Sequence, residues 1–163
     1  YLKLKKINSI RSKLNSSIPL IFLILVFIQI GIGAFVSGMD AGKIYNSWPL
    51  MGETYFPDDN KLYNLFKISA LSDPSLMQFV HRNLAYVICI FYIFIFYKIY
   101  MNKMIDLYKS ISAIGFILIL QIILGILTII NGAQIYIASM HQISSIFLVS
   151  SSIYFFYLNS ESS

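Results

Sequence analysis

One cysteine in 163 residues sets the first limit. Cys89 alone can form neither an internal disulfide nor a thiolate metal cage. Covalent c-type heme attachment, which needs a Cys-x-x-Cys-His run, is excluded for the same reason. Flanked by Ile88, Ile90 and Phe91, it reads as a small apolar packing residue. Charge is equally scarce: 12% of residues are charged, too few to clothe a soluble domain of this size. What fills the chain instead is hydrophobic, 58% of it, with a mean hydropathy of +0.73. The apolar residues come in long runs and the charges in short clusters between them, which is the pattern of a bilayer-spanning chain.

The net charge of +5 does not point to nucleic acid, because no basic face is gathered on a soluble unit. Lys3, Lys5, Lys6, Arg11 and Lys13 precede the first apolar run, and Lys98, Lys103 and Lys109 lie between the second and third. These flanks read as topology signals that face the cytoplasm and anionic lipid. The chain begins with Tyr1 rather than Met, which is expected of a fragment or a processed product. The first apolar run is too long for a signal-peptide core and no small-residue cleavage site follows it.

Four spans are expected, at residues 18–38, 77–97, 111–130 and 135–158. Each has about 20 residues, enough to cross a hydrocarbon core roughly 30 Å thick. A basic cytoplasmic segment (1–17) would precede them and a cytoplasmic tail (159–163) would follow. The loop of residues 39–76 and the turn at 131–134 then fall outside. Within that loop, Leu62, Leu65 and Phe66 recur at helical spacing. Residues 61–71 are therefore either a short helix lying on the membrane surface or a partly ordered loop.

A faint repeat joins the two halves. Gln29-Ile30-Gly31-Ile32-Gly33 and Gln121-Ile122-Ile123-Leu124-Gly125 share Gln-Ile-x-[Ile/Leu]-Gly, and each is followed by a span with one histidine near its outer end. The expected fold is all-α: an integral membrane four-helix bundle of two helical hairpins, related by a pseudo-two-fold axis along the membrane normal.

His81 and His141 are the only histidines, and both fall inside spans, where ionisable groups are costly and usually functional. At 1.5 Å per residue they lie about 6 and 9 Å into their spans, at similar height. Two imidazoles from facing helices can supply both axial ligands of a heme iron. Gly31, Gly33, Gly125, Ala34 and Ala138 would leave a slot for a flat ring. Arg82 offers a fork to a heme propionate, or it is an anchor reaching the lipid headgroups. Interhelical hydrogen bonding and a proton path are the other readings of the histidines. Zinc is disfavoured, because two histidines without a carboxylate or thiolate make an incomplete site. Gln29 and Gln121 each interrupt an apolar run, so each is expected to face the interior and join helices.

The run Gly33-Ala34-Phe35-Val36-Ser37-Gly38-Met39-Asp40-Ala41-Gly42, followed by Tyr45-Asn46-Ser47-Trp48-Pro49-Leu50-Met51, resembles the heme A synthase family at the start of its second four-helix half. Gln78-Phe79-Val80-His81-Arg82 and Met140-His141-Gln142 resemble that half's histidine motifs. The resemblance covers residues 18 to about 157. It implies an oxidoreductase that converts heme O to heme A by oxidising a ring methyl to a formyl group, for cytochrome oxidase. It implies heme b as cofactor, held by His81 and His141 as axial iron ligands, with Arg82 as a further cofactor contact. The substrate heme O would bind in the other half, which is not in this sequence, and no catalytic residue is assigned here. Membrane lipid, heme O synthase and cytochrome oxidase assembly factors are the implied partners, with no nucleic acid. The implied setting is a bacterial plasma (inner) membrane or a mitochondrial inner membrane, with the termini of this chain on the cytoplasmic or matrix side. The end of the first span and the Asn46–Met51 loop would cap the heme's outer edge. The competing readings are a b-type membrane cytochrome that passes electrons without modifying heme, and a heme-free transport or assembly subunit.

Overall fold

The computed structural model describes residues 13–161. Four long helices account for most of them: α1 (Ser17–Gly38), α2 (Pro74–Met101), α3 (Ile105–Ile130) and α4 (Ile135–Glu161). All four are long and apolar enough to cross a membrane. No strand occurs among the described residues. The helices extend beyond the apolar runs where capping chemistry supports them. The Asp73 carboxylate accepts from the Leu76 N–H at 3.0 Å and Pro74 occupies the first turn, so α2 starts before its apolar stretch. Between α3 and α4, Gly132 and Ala133 both adopt positive φ (64° and 55°), which reverses the chain within four residues.

Helix α1 packs on α2 and α4, and α3 packs on α4 and α2. The order around the bundle is therefore α1-α2-α3-α4, which sets α2 and α4 on a diagonal. Away from the long loop the core is mostly apolar: Phe22, Val26, Ile95, Ile99, Leu107, Ile111, Ile114 and Phe155 are buried there. In α3, Gly115 leaves room for the Tyr92 ring of α2, whose hydroxyl donates to the Ile111 carbonyl at 3.2 Å. At the same end Asn159 closes a two-way bridge with the backbone of Leu14, at 2.9 and 3.1 Å.

The connection between α1 and α2 is ordered around its own polar groups. The carboxylate of Asp59 accepts from Tyr45 Oη (3.0 Å) and Ser75 Oγ (2.6 Å), and Thr54 Oγ1 donates to Asp58 (2.6 Å). Gly52, at φ 79°, makes the tight turn of the Met51–Thr54 bridge, and a side chain there would strike Asp58. Residues 61–71 do not form one surface helix. They form two 3-10 turns, Leu62–Phe66 and Ile68–Ser72, separated by extended Lys67. The reason is local: 3-10 and α spacing both bring residues three apart together, and Phe66 and Ile68 stay 87% and 89% exposed, so no buried face lengthens the helix.

Candidate functional site

The long loop and both histidines occupy the same end of the bundle. His81 is the eighth residue of α2 and His141 the seventh of α4, so the two rings stand at nearly the same depth on diagonal helices. The side chains are partly buried, and His81 lies within electrostatic reach of His141. No third histidine, cysteine or carboxylate joins them as a ligand group among the described residues.

Each ring sits on a glycine of the preceding helix. A Cβ at Gly33 would lie 3.1 Å from Cε1 of His81, and one at Gly125 would lie 3.2 Å from Cε1 of His141. Four residues earlier stands a glutamine in both cases. The amide of Gln29 donates to the main-chain carbonyl of His81 at 3.1 Å, and that of Gln121 to the carbonyl of His141 at 3.2 Å. Both histidine Nδ1 atoms are buried without a hydrogen bond. The glycine explains how near each ring comes to the preceding helix: without a Cβ there the ring edge can come close. The Gln-x3-Gly repeat read in the sequence thus makes the same contacts on both sides. The two glutamines face the interior as expected, but their partners are the histidine-bearing turns.

Arg82 lies beside His81 and is 7% exposed. Its guanidinium is occupied by loop carbonyls: Nη1 donates to Ser47 O (2.9 Å) and Leu50 O (3.2 Å), and Nη2 to Tyr45 O (3.0 Å). Its buried Nε has no partner, and no carboxylate pairs with it among the described residues. Gln78, one turn earlier, also donates to Tyr45 O, at 3.0 Å. Further along α2, Asn83 accepts from Tyr55 Oη (2.6 Å) and Tyr86 from Trp48 Nε1 (3.1 Å). One strip of α2 therefore fastens the aromatic loop directly over the turn that carries His81. Asn46 ties the same loop to the end of α3 through the Ile129 carbonyl, at 3.0 Å. Sequence reasoning missed Gln78 and Ser144, although the spacing of Gln78, His81 and Arg82 places all three on one helix face.

A donor set of two partly buried imidazoles, with no third ligand group beside them among the described residues, fits a porphyrin iron. The two histidines would hold the iron, and a heme would bring its remaining ligand nitrogens itself.

A family model described as cytochrome oxidase assembly protein matches residues 5–153. A heme A synthase of Pelagibacter ubique is 40% identical over 159 residues, which is 98% of this chain and 47% of that protein. A heme A synthase of Rickettsia prowazekii is 37% identical over 147 residues, 85% of this chain and 41% of that protein. The chain spans about half the length of the curated relatives it matches. No solved structure matches it.

Proposed function

Because this chain belongs to the cytochrome oxidase assembly protein family, we propose that it is the heme b-binding half of a heme A synthase, the oxidoreductase that turns a methyl group of heme O into the formyl group of heme A. The observation that carries this reading is the matched pair of histidines, each seated on its own Gln-x3-Gly, on diagonal helices at one depth. His81 and His141 would hold the heme iron. Bound heme b would supply one-electron chemistry at an iron with no open position for oxygen, which suits relay rather than oxygen activation.

The chain's own residues hold and orient. Gly33 and Gly125 admit the ring edges, and Gln29 and Gln121 fix the turns that bear them. Arg82 clamps the loop through Nη1 and Nη2 and brings a buried positive charge with no carboxylate on it among the described residues, which leaves Nε as its one unpartnered nitrogen for a propionate. The two hairpins are related by a pseudo-two-fold axis along the membrane normal, with the termini on the cytoplasmic or matrix side. Heme O is then taken in the other half of the full-length protein.

The test is optical. The whole chain, purified in detergent, should give the sharp reduced bands of bis-histidine heme b, and both His81→Ala and His141→Ala should lose them. Full heme with unchanged bands in both variants would overturn the assignment.

A further inference from the structure

The two histidine seats match in their main-chain contacts but differ at the ring. The amide nitrogen of Gln29 lies 3.1 Å from the His81 carbonyl and 3.3 Å from Nε2 of the same residue. A carbonyl only accepts, so the contact fixes which end of the amide faces His81. The ring nitrogen beside that N–H must then present its lone pair, which places the proton of the neutral imidazole on Nδ1. Gln121 makes the same carbonyl contact on the other side, but its second partner is Ser144 Oγ, at 2.5 Å. Ser144 in turn donates to the His141 carbonyl at 3.0 Å. No hydrogen bond among the described residues engages Nε2 of His141.

We propose that Gln29 is a positioning residue that caps His81, holding its imidazole in the metal-ready tautomer while occupying the lone pair a metal would take, whereas Ser144 draws Gln121 away and leaves His141 as the open seat. The proposal rests on the reading of both histidines as heme ligands. Its consequence is an unequal pair: iron meets His141 without competition and gains His81 only by displacing one amide hydrogen bond. The same amide keeps its contact to the His81 carbonyl, so the turn stays placed once the cap is released.

Two measurements on the whole chain test this. The first uses histidine labelled with ¹⁵N in the heme-free protein. Gln29→Met should move the Nε2 resonance of His81 toward that of an unbonded imidazole, and Gln121→Met should move neither Nε2. The second is titration with ferric protoheme. Loss of the cap should tighten bis-histidine binding about two- to tenfold in Gln29→Met, the worth of one net hydrogen bond, while Gln121→Met should not tighten it. Gln29→Leu serves if the methionine variant does not insert. An unmoved His81 resonance, or binding that is unchanged or weaker in a folded Gln29 variant, overturns the proposal. If the unaltered chain takes no bis-histidine heme, the heme reading fails and the resonance measurement alone decides the cap.

Discussion

Replacing Gly33 by alanine sets two effects of known sign against each other. Alanine in a helix interior is favoured over glycine by up to about 1 kcal/mol. The added methyl would stand 3.1 Å from Cε1 of His81, closer than ordinary contact allows, with both ring nitrogens at ordinary contact distance. Forcing one carbon into a packed site costs about 1–3 kcal/mol. Gly31 provides the control, since nothing lies within 4 Å of a Cβ there. Gly31→Ala should therefore be neutral or gain stability, and Gly33→Ala should be less stable than Gly31→Ala by about 1–3 kcal/mol. The functional effect should be larger than the effect on folding. A ligand ring moved by several tenths of an ångström approaches the roughly 0.5 Å tolerance of a preorganised site. Heme retention should thus fall in Gly33→Ala, and likewise in Gly125→Ala, while Gly31→Ala keeps it. Thermal unfolding in detergent and the heme-to-protein ratio read the two effects separately. Equal stability and equal heme content in Gly31→Ala and Gly33→Ala would refute the argument.

Two further predictions concern the loop. Arg82→Ala should withdraw the guanidinium from three loop carbonyls, leaving Ser47 O without a side-chain donor while Tyr45 O keeps Gln78 and Leu50 O keeps Ser47, costing about 1–3 kcal/mol, and limited proteolysis should cut first between residues 45 and 50. Burial alone would raise the Asp59 carboxyl, but hydrogen bonds from Ser75, Tyr45 and Asn60 outweigh it and hold the group below its ordinary value. A carboxyl lowered on folding stabilises above its unfolded pKa, about 3.9, and that contribution is lost as pH falls through the lower folded value. Proteolysis of the loop should accordingly rise with acid below about pH 4, and Asp59→Asn should flatten that dependence.

The spans are legible in the sequence because a bilayer demands long apolar runs, and the histidines stand out because they are the only two. The Gln-x3-Gly repeat is legible as a pattern, but its meaning is not. The same glutamine makes the same carbonyl contact twice, yet the second contact is a ring nitrogen in one case and Ser144 in the other. Backbone acceptors carry no sequence signal, so the fastening of Tyr45, Ser47 and Leu50 by Gln78 and Arg82 could not be read from the residues. The loop between residues 61 and 71 misled for a different reason: three apolar residues at helical spacing suit a 3-10 turn as well as an α-helix.

The buried polar groups divide the bundle into two ends with different logic. Away from the loop, most of them are closed locally: Ser152 donates to the Leu148 carbonyl at 2.7 Å, and Asn159 pairs with Leu14. Ser110 Oγ is the exception there. At the loop end, Gln29 Oε1, Gln78 Oε1, His81 Nδ1, Arg82 Nε and His141 Nδ1 are all buried without a formed hydrogen bond. A buried polar atom in that condition costs about 1–3 kcal/mol. A bundle selected for stability alone would place leucine at these positions, as it does around Ile114 and Phe155. Two of the five atoms belong to the imidazoles themselves, and the other three to side chains on or against the turn that bears His81. The end that costs the fold most is therefore the end where a ligand with its own charges and its own metal would return the most. This is a physical reason, independent of kinship, to place the function between α2 and α4 beneath the loop.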